Sequence, residues 1–175
     1  MKVLLSPARS SALRYKDGEI FNEDSIRQNK KDVFKTLLKG RTVYGGGGIT
    51  PDIFIPLDTS MYNPFVSEVY GLSLLQEFAY NYYSAHKAEF TKYTTAERFN
   101  TDFKADDNLY QQLVQYCMQH GVRKETGSYT EKSKSYLSNK LKAYLARQIW
   151  KTDGYYRVAA DDDKTIQRAL LELKK

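Results

Sequence analysis

The chain changes character after one stretch of sequence, residues 33–56, which reads VFKTLLKGRTVYGGGGITPDIFIP. Two runs rich in β-branched and aromatic residues, 33–37 and 41–44, flank a turn that contains Gly40, an arrangement typical of a β-hairpin. A third apolar run, 53–56, ends in a proline. Because proline cannot donate a hydrogen bond to a neighbouring strand, we expect an edge strand there.

Four consecutive glycines follow the hairpin and lead into the sequence Ile-Thr-Pro-Asp. The motif comprises Gly45, Gly46, Gly47, Gly48, Ile49, Pro51 and Asp52. Consecutive glycines can point backbone amides into an anion-binding nest, so a phosphate site is one interpretation. A Walker-type loop, however, continues with Lys and Ser or Thr into a helix, whereas these glycines lead into a predicted strand. We therefore favour a structural bend between two strands.

The residues before this stretch offer little to a hydrophobic core. Residues 3–5 predict one short strand, and Lys-Asp-Gly at 16–18 predicts a turn in otherwise irregular chain. Residues 22–32 are polar apart from one isoleucine and predict an exposed loop or short helix. We expect residues 1–58 to form a β-region and residues 59–175 to form a helical domain.

Helical periodicity begins in the second half of the chain. Ser73 and Gln76 form a capping-box pattern ahead of a helix that we expect to reach Glu89. A second box, from Thr94 to Glu97, predicts a short helix.

The next helix is predicted between the acidic pair Asp106-Asp107 and Gly121. Negative charge stabilises a helix N-terminus, and glycine is common just beyond a helix C-terminus. Its apolar residues are Leu109, Leu113, Val114, Cys117 and Met118.

Two more helices are predicted near the end of the sequence. The longest begins at the capping box of Ser128 and Glu131, closes at Trp150 and ends at Gly154. Its apolar face comprises Leu137, Leu141, Tyr144, Leu145 and Ile149. The last helix begins in the acidic run 161–163 and is expected to turn its apolar residues inward. These residues are Ile166, Ala169, Leu170 and Leu173. The predicted class is α+β, with a hairpin and an edge strand followed by about four helices.

Composition narrows the possible partners. The formal net charge is +6, but Lys and Arg are mixed with Asp and Glu along the chain, which favours a solvated surface over a nucleic-acid or membrane patch. No apolar run approaches the roughly 18 residues that predict a membrane span. The N-terminal sequence MKVLLSPARSS is too short and too polar for a signal peptide, so we expect none in this chain.

Reactive side chains are few and scattered. Cys117 is the single cysteine, which excludes an intrachain disulfide, and its helical register favours a core position. His86 and His120 are far apart in sequence and have no ligand pattern or Gly-x-Ser-x-Gly motif beside them. The aspartates at 161–163 are better explained as helix caps than as calcium ligands. We expect no metal, cofactor or catalytic residue.

Residues 40–56 resemble a signature of carboxy-terminal processing, or tail-specific, serine proteases, in which Gly-Ile-x-Pro-Asp follows the catalytic core. The sequence Gly-Arg-Thr-Val-Tyr before four glycines is similar to the envelope-associated branch of that family. Residues 78–82, 142–150 and 154–156 continue the similarity, whereas residues 5–9 give a degraded match with Ala8 in place of a glycine. The resemblance thus covers both predicted regions.

The resemblance implies a non-catalytic role for this chain. In that family the serine nucleophile, its lysine base and a PDZ domain lie upstream of the matching region, so no catalytic residue is carried over. Residues 1–56 would complete the sheet edge of the protease core, and residues 60–175 would support the core, substrate access or assembly. The implied location is the periplasm or cell envelope. The implied partners are the parent core, a polypeptide substrate, or a second copy bound at the unpaired β edge.

Two other functions stay open. A free-standing interaction module without an enzymatic parent would use the helical domain to bind a protein partner. Nucleic-acid binding through the basic excess is a weaker interpretation, because no recognised motif accompanies the charge.

Overall fold

The chain folds into two compact units, Met1–Asp58 and Thr59–Lys175. The computed structural model describes residues 11–25, 33–44, 52–123 and 130–175. The first unit contains a two-stranded hairpin and the second is helical. This architecture confirms the predicted α+β class, with the hairpin ahead of a mainly helical region.

The hairpin of the first unit is antiparallel. Its strands pair Val33 with Tyr44, Phe34 with Val43 and Lys35 with Thr42, which confirms the hairpin predicted around Gly40. The unit comprises α1 (Ser11–Lys16), a 3-10 turn (Glu23–Ser25), β1 (Val33–Lys35) and β2 (Thr42–Tyr44).

Two predictions for the first unit are wrong. Residues 11–16, expected to be irregular, form α1. Residues 53–56, expected to form an edge strand, contain no β-ladder and run as a bend and extended chain. The backbone N–H of Leu57 donates to the carbonyl of Ile20 at 2.9 Å, so this segment is held by the turn after α1. The strand predicted at residues 3–5 lies outside the described residues.

The second unit contains seven α-helices in the described ranges, more than the four or so expected. They are α2 (Pro64–Gly71), α3 (Leu74–Ala85), α4 (Lys87–Phe90), α5 (Ala96–Asp102), α6 (Asp107–Gln119), α7 (Glu131–Ala159) and α8 (Lys164–Glu172), with a 3-10 turn (Ala160–Asp162) before α8. Sequence periodicity missed α2, which starts at a proline capped by Asn63. None of these helices is both long and apolar enough to cross a membrane.

The core of the second unit is organised around α7. Leu137, Leu141 and Leu145 recur every four residues and are fully buried, because this stripe packs against α3, α5 and α6. Phe65, Leu75, Phe99 and Leu113 from the surrounding helices complete the best-buried part of the same core. Burying each such side chain stabilises the fold by about 1.5–3 kcal/mol.

Helix caps agree only partly with the sequence patterns. Asp106 caps α6 by accepting from the Leu109 N–H at 2.9 Å, as expected. The predicted box at Thr94 is displaced by one residue, since Thr95 accepts from Arg98 N–H and caps α5. The predicted box at Ser73 is wrong: its φ is 58°, and its side chain makes no capping hydrogen bond.

The longest helix does not end at Gly154. At Trp150 and Lys151 the backbone leaves helical geometry, with φ of −114° and 58°, and helix then resumes as far as Ala159. Gly154 is buried in the resumed part, where a Cβ would lie 2.6 Å from the Ala146 carbonyl oxygen. The glycine is therefore a point of close backbone approach and not a helix terminator.

The last helix is correctly predicted as an element but not in its packing. Asp163 caps α8 through its contacts with the Thr165 and Ile166 backbone N–H groups, which fits the acidic start expected at 161–163. The apolar residues expected to face inward are exposed, and α8 contains no buried residue.

Candidate functional site

Most of the glycine motif lies outside the described residues. Gly45, Gly46, Gly47, Gly48, Ile49 and Pro51 fall in that part, so their predicted bend stays a prediction. Asp52 is described, and its exposed carboxylate accepts a hydrogen bond from the Arg41 guanidinium after β1. An exposed ion pair of this kind stabilises a fold by less than about 1 kcal/mol. This contact joins Asp52 to the residue that precedes β2.

The hairpin carries an exposed apolar surface. Leu37 and Leu38 in its turn are fully exposed, and the cross-strand pair Phe34 and Val43 is about half exposed. We call these four residues the hairpin surface. A two-stranded hairpin is marginally stable alone and gains stability when another strand or element covers it. The sequence signal was available, since Leu37 ends the first predicted strand and Leu38 begins the predicted turn.

Basic residues lie in the same stretch of sequence as the hairpin surface. Lys35, Lys39 and Arg41 lie in the same stretch, and residues 33–44 contain no Asp or Glu. Arg41 is paired with Asp52, whereas no ion pair is recorded for the two lysines in the described part of the chain. Such a surface suits a partner with an apolar patch and acidic margins.

A groove lies at the kink of α7. It has a volume of about 600 Å³ and runs between the N-terminus of α5 and the kink. Its lining comprises Thr94, Thr95, Ala96, Glu97, Trp150, Lys151, Asp153, Gly154 and Arg157. The sequence did not predict this groove. The kink that forms it lies inside α7, whereas the sequence pattern predicts that this helix ends at Gly154.

The groove is lined by charged and polar side chains and lacks a nucleophile paired with a base. The Arg157 guanidinium lies 3.2 Å from the Glu97 carboxylate, and both side chains are more than half exposed. Its lining contains two threonine hydroxyls but no serine, cysteine or histidine. A nucleophile needs an adjacent base within hydrogen-bond reach, and the lining does not provide that pair.

One serine and one lysine do meet in the second unit. The Lys132 ammonium donates to the Ser60 hydroxyl at 3.2 Å. Both residues are exposed to solvent. A lysine that serves as the base of a serine nucleophile is desolvated, whereas this lysine and this serine are both exposed. The contact therefore does not form a catalytic dyad.

Ser133 is buried and makes structural hydrogen bonds. Ser133 in the first turn of α7 accepts from the Asn63 amide at 2.7 Å and lies 2.8 Å from the Met61 carbonyl, to which its hydroxyl donates. Asn63 also caps α2 by accepting from Val66 N–H. This network joins the starts of α2 and α7, and it engages the Ser133 hydroxyl in structural hydrogen bonds.

Lys142 is the half-buried cation of the helical unit. Burial lowers the pKa of its ammonium, and the nearby Lys104 lowers it further. Its Nζ atom donates to the Asn100 carbonyl at 2.5 Å, and the Asn100 amide donates to the Asp161 carboxylate at 2.5 Å. These contacts tie α5 to α7 and to the 3-10 turn. We assign Lys142 a structural role.

The histidines and the cysteine are structural as well. His86 and His120 each end a helix, and each ring stacks on a tyrosine four residues earlier, with centroid distances of 4.2 Å to Tyr82 and 4.0 Å to Tyr116. Cys117 is fully buried, as predicted, and burial raises the pKa of its thiol to about 12. In the described ranges no three His, Cys, Asp or Glu side chains are grouped to hold a metal ion.

Tyrosine hydroxyls cluster beside α7. The Tyr62 and Tyr136 hydroxyls lie 3.2 Å apart, and the Gln76 amide donates to the Tyr144 hydroxyl at 2.8 Å. Burial raises the pKa of Tyr136 to about 12 and also raises that of Tyr70. The Tyr70 and Tyr136 hydroxyls are therefore neutral hydrogen-bonding groups at physiological pH.

Comparison with known proteins places the recognisable sequence within the helical unit. Residues 65–151 match the model of a family that is described as a family of unknown function (DUF8443). No curated protein and no solved structure matches the chain significantly. The matched range runs from α2 to the kink of α7, so it contains the whole leucine stripe and ends just before Gly154.

Proposed function

We propose that this chain is a non-catalytic portion of a tail-specific serine endopeptidase, and that it acts by protein contact. In this proposal the parent protease core covers the hairpin surface, and the helical unit supports the core, substrate access or assembly. The parent enzyme works in the periplasm or cell envelope. The observation that carries the proposal is the full exposure of Leu37 and Leu38.

The exposure of these leucines favours a covered state. Covering one leucine side chain contributes about 1.5–3 kcal/mol, so covering both is a substantial gain for any partner that fits them. Among the described residues β1 and β2 pair only with each other, so a further strand could bind at either edge. A protease core with an incomplete sheet edge matches both needs, and the resemblance of residues 40–56 points to such a core.

The absence of chemistry in the described residues is consistent with a supporting role. The Ser60–Lys132 contact is exposed, and the Ser133 hydroxyl is engaged in packing hydrogen bonds. A serine protease also needs amides arranged as an oxyanion hole beside its nucleophile. We therefore expect the purified chain neither to cleave casein nor to react with a fluorophosphonate probe.

The decisive experiment identifies the natural polypeptide. An antibody against the helical unit isolates the protein from an envelope fraction of its host, and mass spectrometry reads its peptides. We expect peptides of a PDZ domain and a serine-lysine core on the same polypeptide, with fluorophosphonate labelling only in that upstream core. Labelling of a serine within residues 1–175, or a polypeptide without any protease core, would overturn the proposal.

A free-standing interaction module is the second candidate. The match to a family of unknown function is confined to residues 65–151, inside a unit that closes its own core without the hairpin. In that case the natural polypeptide carries no protease core, and a protein partner binds the helical unit. The α7 groove is the surface we would test, by comparing capture of that partner by wild type and by Arg157→Glu, with the exposed Arg123→Glu, outside the groove and α8, as the matched control.

A further inference from the structure

The apolar face of α8 is exposed. Ile166, Leu170 and Leu173 are 40%, 46% and 83% exposed, and with Ala169 they form one row along the helix. Residues at this spacing lie on the same side of a helix, one turn above another. The main contacts of α8 are with the 3-10 turn before it. The last residue of the core in sequence is Val158, before that turn.

The two ends of the same segment carry opposite charges. Residues 161–164 contain three aspartates and one lysine, a formal charge of −2. Residues 168–175 contain one arginine, one glutamate and two lysines, a formal charge of +2. Glu172 is paired with Arg168 and Lys175, which leaves Lys174 and part of the basic charge at the end of the helix.

We propose that α8 pairs with α8 of a second copy of this chain, in antiparallel orientation. A twofold axis across the middle of the helix places each apolar row on the other. It also places the acidic end of each segment against the basic end of the other. At both ends of the pair a formal charge of −2 then lies opposite a formal charge of +2. Parallel pairing would instead bring like charges together at both ends.

The charge pattern favours a second copy over a lipid surface. A helix that lies on an anionic bilayer is rich in Lys and Arg on its polar face. The segment 161–175 has no net formal charge, and its acidic end would face the headgroups. Antiparallel self-pairing uses both charged ends, whereas a bilayer would be attracted by one and repelled by the other.

The pairing is expected to be weak. A helix of nine residues is about 14 Å long, and two such faces bury less area than the roughly 1,200–2,000 Å² of a standard interface. We expect a dissociation constant on the order of 100 µM for the chain by itself. This proposal concerns α8 and does not depend on a protease parent.

Two adjacent leucines provide a matched test. Leu170 lies in the apolar row, whereas Leu171 is rotated from it by about 100° and is also exposed, at 59%. Sedimentation equilibrium is measured on the full chain from about 10 µM to about 1 mM, for wild type, Leu170→Lys and Leu171→Lys. We expect Leu170→Lys to raise the dissociation constant at least about tenfold and Leu171→Lys less than about threefold. Circular dichroism checks that both variants keep the fold.

The outcomes separate the possible occupants. A wild-type monomer up to about 1 mM would overturn the proposal, as would equal effects of the two leucine variants. Self-association that survives Leu170→Lys but is lost in the double variant Leu37→Ser, Leu38→Ser would assign it to the hairpin surface. Binding to anionic phosphatidylserine vesicles by a chain that stays monomeric would overturn it in favour of a membrane.

The orientation has its own test. The double variant Lys174→Glu, Lys175→Glu places acidic charge at both ends of the segment, and we expect it to weaken pairing at least about tenfold at low salt. Raising the salt concentration should narrow its difference from wild type. An unchanged dissociation constant in this variant would exclude the antiparallel arrangement.

Discussion

Two helices of this protein carry the same kind of apolar pattern and have opposite environments. In α7 the stripe of Leu137, Leu141 and Leu145 is fully buried. In α8 the apolar row is exposed: Leu170 is 46% exposed and Leu173 is 83% exposed. The spacing of apolar residues therefore predicts a helix in both places, but it does not predict burial.

The difference comes from the neighbours of each helix. The α7 stripe packs against α3, α5 and α6, whose own apolar residues fill the space around it. The main neighbour of α8 is the 3-10 turn, which has no buried residue of its own. Amphipathic periodicity is a property of one segment, whereas burial is a property of two facing surfaces.

The largest expected effect comes from breaking the buried stripe. Leu141→Ala leaves a cavity in a close-packed core, and we expect the free energy of unfolding to fall by about 2–5 kcal/mol. Urea denaturation followed by circular dichroism measures this change.

The control is the same substitution in α8. Because Leu170 is nearly half exposed, Leu170→Ala should change the free energy of unfolding of dilute protein by less than about 0.5 kcal/mol. Similar losses in the two variants would contradict the contrast between the helices.

A smaller effect is expected at the kink that precedes α8. In Gly154→Ala the new Cβ would lie 2.6 Å from the Ala146 carbonyl oxygen and 2.9 Å from the Trp150 Cβ. Because the first neighbour is backbone, the two parts of α7 must separate, at a cost of about 1–3 kcal/mol. Gly71→Ala is the control, since a Cβ there meets nothing within 4 Å. Calorimetry should show a lower Tm for Gly154→Ala and no decrease for Gly71→Ala.

Two aspartate caps provide the next comparison. Asp106 caps the packed helix α6, and Asp163 caps the exposed helix α8. Asp106→Ala should lower the free energy of unfolding by about 1 kcal/mol, because α6 unfolds with the core. Asp163→Ala should increase fraying of α8, seen as faster amide exchange there, with no change in the global transition. Equal losses of global stability would show that α8 is part of the cooperative core.

The smallest effect at neutral pH concerns the tyrosines beside α7. Burial raises the pKa of Tyr136 to about 12 and also raises the pKa of Tyr70 and Tyr155. An unfolded tyrosine ionises near pH 10, so the folded state holds these protons more tightly. Their contribution to the free energy of unfolding is complete below about pH 10 and is lost as the pH rises through about 12. A Tm that stays constant over that interval would contradict this expectation.

The sequence predicted the hairpin well because its information is local. Two β-prone runs around a turn with Gly40 predict a hairpin, and the structure supplies its register, with Phe34 paired to Val43. The same reasoning failed for residues 53–56, because an edge strand needs a neighbouring strand to accept it and the described residues provide none there. Of the predicted glycine motif, only Asp52 lies within the described residues.

The candidate surfaces were less predictable than the helices. The kink at Trp150 and Lys151 lies inside an apolar pattern that Gly154 appeared to terminate, yet the glycine permits a close approach to Ala146 instead. Leu37 and Leu38 are visible in the sequence, but the sequence does not show that they are fully exposed. Their exposure depends on how other parts of the chain pack around the hairpin.

The sequence by itself determined the presence of the hairpin, the change to helical structure after it and the acidic start of α6, because each depends on residues a few positions apart. Only the tertiary structure decided that α7 is buried while α8 is exposed, and that the long helix continues past its glycine. These outcomes depend on surfaces that are distant in sequence, and no local pattern specifies whether a complementary surface will meet a given apolar face.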